Sequence, residues 1–173
     1  MGPDTRETRP LTDRAKEGIF SAIGDQVIDA AVLDLYAGSG SIGIEALSRG
    51  SRQATFVENN RKALAALRRN LASLGFAARA IVIDDNVATF LRSTTARYDL
   101  IFFDPPWELP GTIVNQELAL AAGAASREIV VHRRHDAPVP EAPDGWSLQG
   151  TYRYGDSHLL RYAQQYGDET ERF

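Results

Sequence analysis

Val32-Leu33-Asp34-Leu35-Tyr36-Ala37-Gly38-Ser39-Gly40-Ser41-Ile42-Gly43-Ile44-Glu45-Ala46-Leu47, joined by a short break to Ala54-Thr55-Phe56-Val57-Glu58, decides the fold. An apolar run ends in a glycine-rich turn, a helical pattern starts directly after it, and a second apolar run closes on an acid. That order matches a βαβ unit with a nucleoside-binding turn. Gly38 and Gly40 allow a sharp turn and a close ligand approach where a Cβ would collide. Gly43 lets the new helix lie close to its strand. Glu58 stands twenty residues beyond Gly38, where a carboxylate can accept hydrogen bonds from both hydroxyls of a ribose. The plainer reading is an ordinary strand-to-helix turn with a surface glutamate. Turn, helix start and acid occurring together in this order favour the nucleoside site.

Gly38-x-Gly40-x-x-Gly43 also satisfies the dinucleotide fingerprint, and a pyrophosphate suits a helix N-terminus. Asp34, however, lies near the end of the first strand and points a negative charge toward the same crevice. That carboxylate repels a pyrophosphate and attracts the ammonium and sulfonium ends of S-adenosylmethionine (SAM). The balance tilts to SAM.

At 173 residues with 43% hydrophobic composition, the chain suits one domain over 1–173. Residues 1–8 read as a loose lead-in and 164–173 as a frayed polar tail. No apolar run approaches membrane-spanning length and no signal pattern opens the chain. With no cysteine, disulfides, thiolate catalysis and Cys-ligated metals are excluded, and a cytoplasmic setting fits. The formal net charge of -4 means that any nucleic-acid contact must come from a local basic patch.

Thr12 or Asp13 caps a first helix that carries Ile19 and Phe20. Thr12 and Arg14 have a sharper reading as a border of the ligand site and the RNA backbone. Spacing alone favours a solvated face for Arg14. Leu64, Leu67 and Leu71 recur at helical spacing between Asn60 and Leu74, with Arg68 and Arg69 on the polar side. Ala80 to Ile83 reads as a strand ending in Asp84-Asp85-Asn86, before a short helix through Phe90 and Leu91. Asn86, with Asp85 close behind, is placed to bond an adenine amine while a backbone N–H serves a ring nitrogen; a plain helix cap is compatible with that role.

The decisive motif is Tyr98-Asp99-Leu100-Ile101-Phe102-Phe103-Asp104-Pro105-Pro106-Trp107. A strand of buried character runs into an acid, two prolines and an aromatic. The prolines fix the backbone and remove two N–H donors, leaving carbonyls to accept. An exocyclic amine offers two hydrogens: the Asp104 carboxylate and the Pro105 carbonyl take one each, and Trp107 stacks on the base. Those bonds aim the nitrogen lone pair at a methyl group held by the glycine loop. After a helix from Val114 to Ala122, Glu128 to Arg133 forms a fifth strand. His132, Arg133, Arg134 and His135 are the one dense basic cluster, suited to phosphates or to an exposed strand end; no metal site is read there. Trp146–Tyr154 and His158–Tyr162 form a closing antiparallel hairpin about a Gly155-Asp156 turn.

The chain resembles the RsmD family of bacterial 16S rRNA guanine-N2 methyltransferases over almost its whole length. The residues that carry the likeness are Arg9-Pro10-x-Thr12-Asp13-Arg14, Leu33-Asp34-Leu35-Tyr36-Ala37-Gly38-Ser39-Gly40, Glu45-Ala46-Leu47-Ser48-Arg49-Gly50, Phe56-Val57-Glu58, Asp104-Pro105-Pro106-Trp107 and Tyr154-Gly155-Asp156. The resemblance implies a Rossmann-like class I methyltransferase: a seven-stranded, mostly parallel sheet with helices on both faces and a C-terminal antiparallel hairpin. It implies SAM as donor and transfer to the N2 amine of guanine 966 (usual rRNA numbering) of 16S rRNA in small-subunit particles. Apart from the resemblance, no metal and no obligate protein partner is expected. By position, Asp104, Pro105, Pro106 and Trp107 hold the base. Asp34, Gly38, Gly40, Glu58 and Asn86 line the donor site, flanked by Tyr36, Ala37, Ser39, Asn59, Asp85 and Val87. Thr12, Arg14, Arg133 and Arg134 are the RNA-contact candidates. Family members carry a glycine- and arginine-containing hairpin ahead of the Arg-Pro segment, where this chain has a few unrelated residues. Substrate docking, not donor binding, is expected to feel that difference. Methylation of adenine N6 or of a protein glutamine, and an NAD(P)-binding module, are the competing readings.

Overall fold

The computed structural model describes residues 11–165; the lead-in over 1–8 and the chain beyond Gln165 lie outside them. Seven strands form one sheet: β1 (Ala31–Leu35), β2 (Gln53–Glu58), β3 (Ala80–Asp84), β4 (Tyr98–Phe103), β5 (Ala125–Arg134), β6 (Trp146–Tyr154) and β7 (Ser157–Gln164). Their order is β3-β2-β1-β4-β5-β7-β6. Strands β1 to β5 pair in parallel, and β7 runs antiparallel to both β5 and β6. The helices are α1 (Asp13–Ile23), α2 (Ser41–Ser48), α3 (Arg61–Ser73), α4 (Val87–Ser93) and α5 (Gly111–Ala124).

The period-2 alternation of the central strands splits the core into two. Val32, Phe56, Leu100, Phe102 and Val130 pack with Phe20, Ala46 and Leu67 of α1, α2 and α3. Leu33, Leu35, Val57, Ile101, Phe103, Ile129 and Val131 pack with Phe90, Val114 and Leu118 of α4 and α5. Helices on both faces explain why these strands are mainly apolar on both sides, with Asp34 and Thr55 among the buried exceptions. Among the described residues no helix is long and apolar enough to cross a membrane.

Three elements, β5, α5 and β7, extend beyond the bounds read in the sequence. Strand β5 starts at Ala125, opposite Tyr98, because the register shifts between Tyr98 and Leu100 and lets the strand begin early. Helix α5 starts at Gly111, directly after Pro110, whose backbone carbonyl accepts from the amides of Ile113 and Val114. Gln164 belongs to β7, not to a frayed tail: it pairs with Trp146, and the Gln165 amide donates to the Gly145 carbonyl at 2.8 Å.

The order reverses between β1 and β4, which makes their carboxyl ends a topological switch point, where open α/β sheets bind ligands. Leu35 and Phe103 stand side by side in register, and the Asp104 amide approaches the Leu35 carbonyl at 3.5 Å. The glycine turn and the Asp-Pro-Pro-Trp segment therefore leave adjacent strands at the same edge.

Candidate active site

The three glycines of the turn have different tasks. Gly38 has φ +58, and a Cβ there would point into open space; it faces the crevice. Gly40 has φ +91, and its Cβ would lie 2.3 Å from Leu67 Cδ1. Its bareness serves the approach of α3 rather than a ligand, which corrects the sequence reading. A Cβ on Gly43 would lie 2.3 Å from the Phe56 ring and 3.1 Å from Asp34 Oδ2, so helix α2 lies against β2 as well as β1. The turn is closed by Gly40 N–H to the Ala37 carbonyl at 2.9 Å and fastened to β2 by Ala37 N–H to the Val57 carbonyl at 3.1 Å. Asn70 of α3 donates to the Ser39 carbonyl.

Asp34 is 1% exposed, and its Oδ2 accepts the Gly43 amide at 3.0 Å. It latches the first turn of α2 to β1, which corrects the reading of Asp34 as a charge facing the ligand crevice: its side chain is buried beneath the turn. Burial pushes its carboxyl well above the usual range; the Gly43 bond opposes this, and the negative charges of Asp104 and Glu58 add to it. A raised native pKa means that the folded state holds the proton more tightly. Its contribution is therefore favourable at low pH and is lost as pH rises from about 4 toward the raised value. Asp34→Asn keeps the acceptor for Gly43 without the buried charge. Its melting temperature relative to wild type is expected to be higher at pH 8 than at pH 4.5. A difference that is flat or reversed between the two melts contradicts this.

Tyr36 has φ +58, a conformation that costs a non-glycine residue of order 1 kcal/mol or more. Its ring stacks on Phe103, and its hydroxyl donates to the Glu117 carboxylate of α5, 2.8 and 3.0 Å from the two oxygens. Burial first, then Glu117, drives the phenol up, and burial drives the Glu117 carboxyl up. The Tyr36 side chain is thus spent on holding the backbone that enters the turn.

Glu58 Oε1 accepts from Gly38 N–H, and Oε2 from the amides of Asn59 and Asn60, all at 2.9 Å. Three of roughly four carboxylate acceptor sites are occupied, leaving room for one ribose hydroxyl rather than the two expected. At the end of β3, Asp85 Oδ1 accepts the Asn86 amide at 2.7 Å, and Asn86 Oδ1 caps α4 at Thr89 N–H. Asn86 is thus engaged as the cap of α4, and half-buried Asp85 uses one carboxylate oxygen on the Asn86 amide. The Val87 amide opens α4, where helices have no internal acceptor for it.

After β4, Asp104 is half-buried at the strand tip, and Trp107 is half-buried beside it. His132 Nδ1 lies 2.8 Å from Asp104 Oδ1, and the Trp107 and His132 rings are 6.3 Å apart. A cleft of about 350 Å³ is lined by Thr12, Arg14, Trp107, His132, Tyr154 and Asp156, with Gly155 and Ser157. Thr12 caps α1 through Ala15 N–H and also lines this cleft. Gly18 leaves the space that Tyr154 fills, since a Cβ there would lie 2.0 Å from the Tyr154 hydroxyl.

Arg133 is not a phosphate contact. It is 4% exposed, its Nη1 donates to the Pro106 carbonyl at 3.2 Å and its Nη2 to the Leu109 carbonyl at 3.5 Å. Burial lowers its pKa, and Asp104 partly offsets that. Its guanidinium fixes the far end of the loop that Asp104 begins, and it takes up the Pro106 carbonyl, so Pro105 is the proline acceptor left. Arg134 is exposed, paired with Asp136 at 2.8 Å, and does not line the cleft. Among the described residues no group of three or more His, Cys, Asp or Glu is arranged to hold a metal.

A doubly wound sheet, a glycine turn and an acid-proline loop at one switch point define the class I methyltransferase fold. The magnesium protoporphyrin IX methyltransferase of Synechocystis PCC 6803 shares that fold, with a TM-score of 0.68 at 14% identity, over 87% of this chain and 79% of that one. The chain belongs to the RsmD family: residues 2–163 match the family model described as conserved hypothetical protein 95. It is 34% identical to the ribosomal RNA small subunit methyltransferase D of Escherichia coli K12 over 98% of this chain and 86% of that protein. The solved structure of the Escherichia coli protein yhhF superposes with a TM-score of 0.81 at 30% identity, over 92% and 89% of the two chains.

Proposed function

We propose that the protein transfers a methyl group from SAM to the exocyclic N2 amine of a guanine in 16S rRNA, guanine 966, within small-subunit particles in the cytoplasm. The observation that carries this is the register of Leu35 beside Phe103, which puts the glycine turn and Asp104 on one crevice, next to the cleft that holds Trp107. The name of the Escherichia coli relative supports the rRNA target.

The open space over Gly38, with Glu58 pinned beside it, fits a nucleoside donor. Glu58 takes a ribose hydroxyl, Asp85 and the Val87 amide take the adenine, and Asp34 underpins the turn. Bound there, SAM supplies a methyl group activated by a sulfonium. The chain's own residues position the acceptor: Trp107 stacks on the flipped base, while Asp104 and the Pro105 carbonyl each accept one amine hydrogen. A negative carboxylate also favours the positive charge that grows on the nitrogen. Thr12 and Arg14 border the mouth, where Arg14 meets the RNA backbone.

The test is radiolabelled methyl transfer to 30S particles, naked 16S rRNA and protein fractions, followed by nucleoside analysis. Label is expected in N2-methylguanosine from rRNA. Label in N6-methyladenosine or in protein overturns the target, and tight NAD binding without SAM binding overturns the donor.

A further inference from the structure

Read in the sequence as part of a basic cluster, His132 is in fact buried, and it is the hydrogen-bond partner of the residue on which the proposed base recognition rests. It stands on β5 one position before Arg133, and successive strand residues point to opposite faces. Val130 belongs to the core under α1, α2 and α3, and Val131 to the core under α4 and α5. By the same alternation His132 turns to the first face and Arg133 to the second. Two consecutive side chains of β5 thus grip the two ends of one loop, His132 at Asp104 and Arg133 at Pro106 and Leu109.

We propose that His132 is a positioning residue that ties Asp104 Oδ1 through its Nδ1–H and leaves Oδ2 as the one carboxylate oxygen presented to the amine. The proposal rests on the reading of Asp104 as the amine's acceptor. An ionised carboxylate is acceptor-only, so at 2.8 Å the proton must sit on Nδ1. The imidazole side chain is only 6% exposed, where an unpaired N–H would be costly, and its wall position beside Trp107 leaves it little freedom. Arg133, on the other face, is bonded to the Pro106 and Leu109 carbonyls, so His132 is the side chain that fixes the Asp104 carboxylate. A carboxylate with one oxygen held has a single orientation, which an acceptor bonding a planar amine at the edge of a stacked base requires.

Two variants separate positioning from packing. His132→Leu removes the donor and keeps an apolar group of similar bulk; His132→Asn restores an N–H at the place of Nδ1. The expected result is a fall in kcat of about 10- to 100-fold for His132→Leu, the cost of a misplaced catalytic group. KM for the particle and the SAM dissociation constant should stay within about threefold, and His132→Asn should recover most of the loss. An independent readout is the imidazole 15N spectrum, tractable because the chain has three histidines. His132 is expected in the Nδ1–H form in the wild type and to lose it in Asp104→Ala. Wild-type kcat in His132→Leu, an Asn variant as impaired as the Leu variant, or an Nε2–H tautomer in the wild type overturns the inference. If no methyl transfer is seen in the wild type, the function reading fails, and the spectrum still decides the pairing.

Discussion

Asp104→Ala is expected to reduce kcat for methyl transfer by about 10³-fold while leaving the SAM dissociation constant within about threefold. In the proposed mechanism the carboxylate faces the nitrogen where positive charge grows, and removing one preorganised group of this kind costs about 10²–10³ in rate. Losing one of two acceptors also frees the amine to rotate, which adds to the loss. SAM is spared on the proposed reading because its pocket is drawn from the β1, β2 and β3 tips, and the Asp104 contact to them is the backbone amide approaching Leu35, which alanine keeps. The substitution also strips buried His132 of its acceptor, a penalty of about 1–3 kcal/mol. At about 2–4 °C for each kcal/mol in a chain of this size, the variant stays folded at assay temperature. Single-turnover kinetics with SAM titration checks this, and near-normal turnover ends the catalytic role of Asp104.

Much of this site can be read from residue order, because it depends on local chemistry. The turn at Gly38, the acid at Glu58 and the strand into Asp104 each announce themselves by pattern, and parallel βαβ connections leave few ways to arrange them. Arg133 was misassigned because a run of His and Arg looks like a surface cluster. The parity of the strand carried the opposite message: Ile129, Val131 and Arg133 share a face, and that face is core. Glu117 was equally legible, a lone acid on the helix face of Val114, Leu118 and Ala121; a buried acid must have a donor, and Tyr36 is that donor. Other features had no sequence signal. The left-handed backbone of Tyr36 occurs without a glycine, and the contact of Gly40 with Leu67 depends on where α3 comes to rest. The size of the cleft likewise needs the hairpin and α1 brought together, with Gly18 and Tyr154 at their junction.

Gly43→Ala is expected to destabilise the fold and to weaken SAM binding by about tenfold or more, against the usual gain from replacing a helical glycine. In an open helix position alanine is worth about 0.8–1.0 kcal/mol over glycine. At Gly43 the new Cβ would sit 2.3 Å from Phe56 Cε1 and 2.8 Å from Cζ. Phe56 is 0% exposed, in the core under α2 and α3, and a ring cannot bend away as a flexible chain end does. Overpacking of this kind costs about 1–3 kcal/mol. The strain leaves through α2, which moves off β2 and stretches the Gly43 amide from Asp34. The Gly38–Gly40 turn shifts with it, because Gly40 opens the helix. A tenfold loss of affinity needs only about 1.4 kcal/mol of that distortion to reach the site. Gly123 of α5 supplies the control, since a Cβ there meets nothing within 4 Å: Gly123→Ala should be neutral or stabilising in the same melt. A Gly43→Ala protein that melts at or above wild type and binds SAM normally would mean that α2 yields without cost, and that the close approach at Gly43 does not hold the donor turn in place.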